Sequence, residues 1–170
     1  MWKTQLCAVL FLIGSGYSAL AQAEAINIEG KVTASTCEVD ASTVDKQVDL
    51  GTPSRWQLKT AGQGSEWRDF SLLLNQCPTG ITKATVTFAG TPDDQDETAF
   101  KNAGEATNVA LRLTNANHST TYGNGSKMQT DIDTTTRKAS FPLSARIISP
   151  AGNASVGSFN SVINVDFTYQ

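Results

Sequence analysis

The dominant hydrophobic period in this chain is two. Ile26, Ile28, Val32 and Ala34 alternate with Asn27, Glu29, Lys31, Thr33 and Ser35, with Gly30 in the apolar register. At the other end Ile163, Val165, Phe167 and Tyr169 alternate with Asn164, Asp166, Thr168 and Gln170. Strand side chains point to opposite faces in turn, so each segment reads as a strand with one buried and one wet face. Further β-like runs are Val44–Leu50, Trp67–Leu74, Ala84–Phe88, Val109–Leu113 and Phe141–Ile148. Turn formers separate them: Gly51-Thr-Pro53, Ala61-Gly-Gln-Gly64, Cys77-Pro-Thr-Gly80, Gly90-Thr-Pro-Asp-Asp94, Tyr122-Gly-Asn-Gly125 and Pro150-Ala-Gly-Asn153. About seven short strands so punctuated predict an all-β sandwich of immunoglobulin type. Residues 91–108 and 114–136 are polar and irregular and read as surface loops, with a helical turn around Ala99–Asn102.

The first residues carry a different signal. Lys3 is a positive n-region, Leu6–Ile13 an apolar core and Gly14 and Gly16 its break. Two small-residue cleavage patterns follow, Ala19-Leu-Ala21 and Ala21-Gln-Ala23. The expected organisation is a secretory signal over 1–23, an N-terminal extension over 24–35 and a β-sandwich over 36–170, with cleavage after Ala21 as the alternative to Ala23. The apolar core is far shorter than the roughly 20 residues that span a bilayer. The expected product is therefore exported and soluble.

Export decides the cysteine chemistry. Cys7 leaves with the signal, so Cys37 and Cys77 remain, and a lone pair in an oxidising compartment reads as one disulfide. The competing reading, two metal thiolates, lacks partners: His118 is the only histidine, and neither cysteine belongs to a C-x-x-C.

Composition excludes several function classes. The net charge is −3, one unit more acidic once Lys3 is removed, and there is no basic cluster for nucleic acid or an anionic membrane. With 39% hydrophobic and 17% charged residues the chain suits a globular domain rather than disorder. No catalytic constellation, metal-ligand set, cofactor motif or small-molecule substrate site is expected. His118 lies among Asn, Ser and Thr with no nucleophile elbow, so it reads as a surface histidine. Asp93, Asp94, Asp96 and Glu97 lack calcium-loop spacing and read as a solvated loop. Trp56 and Trp67 are candidates for stacking a sugar, but aromatics near strand ends are expected to fill the core.

The two alternating ends pose a packing problem. Cys37 staples the chain just after Ala34-Ser-Thr36, leaving Glu24–Lys31 upstream of any second anchor. The C-terminal strand runs to Gln170, so no later strand covers its edge. An uncovered apolar edge is an aggregation hazard, and a spare strand at the other end can complete a neighbour instead.

The residues that carry this pattern resemble subunits of chaperone–usher pili, most of all the minor adaptor subunits of type 1 fimbriae. The resemblance runs from Ile26 to Gln170. It rests on Ile26-Asn-Ile-Glu-Gly-Lys-Val32 before Cys37, Trp67-Arg-Asp-Phe-Ser-Leu72 before Asn75-Gln-Cys77-Pro78, and Phe141-Pro-Leu143 with Ala145. Gly157 and the closing Phe167-Thr-Tyr169-Gln170 complete it.

What the resemblance implies is an incomplete immunoglobulin-like sandwich lacking its last strand, completed by donor-strand complementation. A periplasmic pilus chaperone would lend a strand first. An outer-membrane usher would then exchange it for the extension of a neighbouring fimbrial subunit, building a surface fimbria of a Gram-negative bacterium that supports adhesion. Ile26, Ile28, Gly30 and Val32 would be the donated positions. Gly157, Ile163, Val165, Phe167 and Tyr169 would belong to the C-terminal groove-edge strand. The alternative is a carbohydrate-binding adhesin module of a fimbrial tip, but tip adhesins resemble a two-domain plan without a donor extension. Left open are rod versus adaptor position, the operon, adhesin or receptor served, the register of donor contacts, and insertion of the extension into the chain's own groove.

Overall fold

The computed structural model describes residues 36–170. The expected signal and the donor positions Ile26, Ile28, Gly30 and Val32 lie outside the described residues. Eight strands follow in chain order: β1 Glu38–Val39, β2 Arg68–Asn75, β3 Lys83–Ala89, β4 Phe100–Lys101, β5 Ala110–Asn115, β6 Lys127–Asp131, β7 Ala139–Ile148 and β8 Asn164–Tyr169. They form an antiparallel five-stranded sheet, β1-β2-β7-β5-β4, and an antiparallel three-stranded sheet, β6-β3-β8. The described fold is all-β.

Alternation explains the layering. Leu72 and Leu74 of β2, Phe141, Leu143 and Ala145 of β7, and Leu113 of β5 are buried. They pack in one cluster with Ala84, Val86 and Phe88 of β3. Pro142 lies inside β7 opposite Ser71, one residue beyond the end of the β5 ladder at Leu143. The strand is paired on one side only there, so a missing N–H is tolerated.

The Cys37–Cys77 disulfide is formed, with a sequence separation of 40 and both cysteines buried. It joins the residue before β1 to the turn after β2, and the chain-entropy model assigns such a loop roughly 4 kcal/mol.

Three sequence expectations are corrected. Val44–Leu50 forms no strand: Thr43 N–H and Val44 N–H bond Asp40 O in a turn, Asp45 has φ +51°, and Val44 is exposed. The alternation is present but no described strand pairs with it, and an unpaired strand has no ladder to hold it. The helical turn expected around Ala99–Asn102 is instead β4, with Phe100 paired to Leu111 and bridged to Pro92. The supposed loop 114–136 contains β6, whose only strongly apolar residue is Met128, so a polar edge strand escaped the hydrophobic pattern.

Two side-chain expectations also change. Trp56 does not fill the core but is 69% exposed. Trp67 lies partly buried, its ring stacked on His118 at 4.1 Å and 10°, with the Arg146 guanidinium 4.3 Å from its centroid. The acidic loop is more than solvated. Asp94 pairs with Lys101 at 2.6 Å, and Asp96 pairs with Arg112.

Candidate functional site: an apolar groove beside an unpaired strand edge

Strand β8 pairs with β3 on one side, from Asn164–Ala89 to Tyr169–Ala84. Along its other side no ladder forms among the described residues. Beside that edge a groove of about 1220 Å³ opens between the sheets. Phe70, Leu72, Leu113, Leu143 and Ala145 line it from the larger sheet, and Phe88 of β3 from the smaller.

The even spacing of β8 decides what faces the groove. Ile163, Val165, Phe167 and Tyr169 are partly buried and packed against the core, whereas Asn164, Asp166 and Thr168 are exposed. Ile163, Val165 and Phe167 line the groove directly. Phe167 meets fully buried Phe141 at 5.6 Å and 46°, which fixes the ring against the groove wall. Burial pushes the Tyr169 phenol up from its ordinary value, keeping it neutral.

Gly157 lies before β8, at the groove mouth. Its φ is +153°, and a Cβ there would sit 2.5 Å from Ala106 N. The next residue, Ser158, accepts from Ala106 N–H at 3.0 Å, and Asn160 O accepts from Ala103 N–H at 2.7 Å. Only glycine lets the chain approach this closely and turn towards β8. Of the positions the sequence singled out, Gly157, Ile163, Val165 and Phe167 meet in one groove, and Tyr169 continues their row.

The rim strengthens the assignment. Five large hydrophobic residues are exposed among the described residues: Val39, Val44, Trp56, Val156 and Val162. All but Trp56 line the groove. Monomers rarely leave such patches contiguous unless something covers them. Sequence reasoning missed these residues as a rim, along with Leu50 and Phe159: Val39 ends a two-residue strand, Val44 and Leu50 belong to a run read as a strand, and Val156, Phe159 and Val162 precede β8 in irregular chain.

No described cluster of His, Cys, Asp or Glu is arranged to hold a metal. His118 Nε2 lies 3.2 Å from Ser144 Oγ, but Ser144 is fully buried within β7 and cannot meet a substrate.

Comparisons with known proteins agree with this geometry. The profile of the family described as "Fimbrial protein" matches residues 26–170. Protein FimG of Escherichia coli (strain K12) is 35% identical over 144 residues, covering 85% of this chain and 83% of FimG. The crystal structure of the P pilus rod subunit PapA superposes with a TM-score of 0.67 at 19% identity, covering 79% of this chain and 99% of PapA. A chaperone–usher pilus structure matches with the same TM-score and identity, covering 91% of this chain and 100% of that one. Relatives of this kind are structural fimbrial subunits rather than enzymes. This chain belongs to the fimbrial protein family and is a fimbrial subunit with an immunoglobulin-like fold.

Proposed function

We propose that the subunit polymerises by strand donation: residues 24–35 fill the groove of a neighbouring subunit, and the chain's own groove accepts the equivalent strand. The observation that carries this reading is the ladder-free edge of β8 beside an apolar groove with an exposed valine rim. Lengths agree as well. The six residues of β8 present an edge roughly 20 Å long, close to the reach of Ile26–Val32 as a strand. A docked strand gains backbone hydrogen bonds along β8, while Ile26, Ile28 and Val32 enter the groove and Asn27, Glu29 and Lys31 stay wet. Each apolar side chain moved fully out of water contributes about 1.5–3 kcal/mol. Gly30 suits a point where the two backbones approach closely.

The same logic assigns the partners. Before a neighbour arrives, a periplasmic chaperone covers the groove, and an outer-membrane usher oversees the exchange on the way to the cell surface. A subunit that both donates a strand and accepts one occupies an internal position in the fibre. Following the resemblance, we place it as a minor adaptor that supports adhesion by presenting an adhesin. Immunogold counting tests that position, since an adaptor appears in few copies and a rod subunit along the whole fibre.

Ile28→Arg tests donation. It sets a charge in the neighbour's apolar groove without a partner, a cost of several kcal/mol. The variant is expected to fold, to accept a strand through its intact β8 and to fail as a donor. Incorporation of Ile28→Arg into fibres at the wild-type level would overturn the assignment.

A further inference from the structure

Trp56, the one exposed large hydrophobic among the described residues that does not rim the groove, marks a second recess. This recess has a volume of about 580 Å³ and is lined by Trp56, Gln57, Gly62, Gln63, Gly64 and Arg146. Arg146 points away from the groove, because its neighbours Ala145 and Ile147 take the inward positions of β7. Across the ladder it stands opposite Arg112.

The two arginines are not equally balanced. Arg112 pairs with Asp96, whereas Arg146 forms no ion pair or hydrogen bond among the described residues. The Arg146 Nε is buried without an acceptor, and Gly64 packs so close that a Cβ there would sit 2.8 Å from that nitrogen. Buried polar atoms normally find partners; the Trp67 ring beneath the half-buried Arg146 guanidinium offers Nε no acceptor, and the cation opposite is Arg112 rather than a carboxylate. Burial and the neighbouring Arg112 both push the Arg146 pKa down, as expected of a guanidinium short of counter-charge. Lys59 and Arg55 stand over the Trp56 ring, 5.2 and 5.7 Å from its centroid, and neither forms an ion pair among the described residues; the indole still stays 69% exposed.

We propose that this recess binds an acidic sugar, its carboxylate held by Arg146 and its pyranose ring laid against Trp56. A guanidinium takes a carboxylate through two parallel hydrogen bonds. The flat indole covers the C–H face of a sugar ring, and the amides of Gln57 and Gln63 are both donors and acceptors for hydroxyls. Size favours a sugar over an acidic protein surface, since the recess admits one or two rings rather than a broad interface.

The test uses the full chain isolated from the cell envelope, titrated with methyl β-glucuronide, methyl β-glucoside, acetate and a glutamate-rich hexapeptide. Saturation-transfer NMR reads ring contact and affinity. The glucuronide is expected to bind at least about tenfold tighter than the glucoside, the worth of one charge-assisted hydrogen bond. Arg146→Gln is expected to erase that preference, Arg146→Lys to keep part of it, and Trp56→Ala to weaken both sugars. Since Trp56 is exposed, its variant is expected to keep the wild-type melt and so remain informative if Arg146→Gln fails to fold. Equal binding of glucuronide and glucoside, acetate binding as tightly as the glucuronide, preference for the peptide, or no effect of Trp56→Ala would each overturn the proposal.

Discussion

Phe167→Ala separates the two roles of the β8 edge. The ring packs on Phe141, 5.6 Å away, and is partly buried before any partner arrives. A phenylalanine presents about 200 Å². If a third of that stays exposed in the open groove, a docked strand covers about 60 Å² more, or ~1.5 kcal/mol and a tenfold change in affinity. Truncation also costs the chain itself. Complete burial would set the loss at about 3–5 kcal/mol, and partial burial brings it nearer 3. The measurement pairs a denaturant titration with binding of a fluorescent peptide of residues 24–33 to a chain lacking that segment. Both quantities are expected to fall for Phe167→Ala, and neither for Thr168→Ala on the opposite, exposed face. Peptide affinity unchanged by Phe167→Ala, or lost equally with Thr168→Ala, would refute the groove assignment.

Reducing Cys37–Cys77, or replacing both cysteines with serine, is expected to lower the denaturation free energy by roughly 4 kcal/mol; an unmoved midpoint would contradict the chain-entropy account. Gly157→Ala forces a Cβ to within 2.5 Å of Ala106 N at a φ of +153°, so a loss of about 1–3 kcal/mol is expected by thermal melting. Burial raises the Asp96 carboxyl, but hydrogen bonds from Thr98 and the charge of Arg112 outweigh it and leave the pKa below 3.8. A depressed carboxylate gives stability that is present above its unfolded pKa and lost as pH falls through the folded one. Asp96→Asn should therefore flatten the acid limb below pH 3.8, and an identical limb in both proteins would refute the pairing.

The strands legible in the sequence were those whose inward positions are filled by large apolar residues. Leu72 and Leu74, Val86 and Phe88, and Phe141, Leu143 and Ala145 announce their faces by alternation alone. β6 stayed hidden because its one inward position besides Met128 is the polar Thr130, as suits an edge strand. Val44–Leu50 shows the converse: alternation states what a strand would bury but not whether a neighbour stands ready to pair. The β8 side of the groove was legible through Val165 and Phe167. Its rim was not, because Val156 and Val162 are recognisable only once the two sheets are assembled. The Trp67–His118–Arg146 stack joins three distant segments with no common motif, and only the register of β2 with β7 brings two of them together.

The disulfide also has a mechanical meaning. A pull delivered through the chain upstream of Cys37 reaches the sulfur bridge almost at once. It then crosses to Cys77, at the turn between β2 and β3. The intervening residues, including the irregular stretch before β2, are bypassed by a covalent shunt. About 130 Å of extended chain is thereby withheld from any lengthening under load. The irregular stretch and the β2–β7 ladder are both spared the tension, and the load falls on hydrogen bonds spread along β3 and β8.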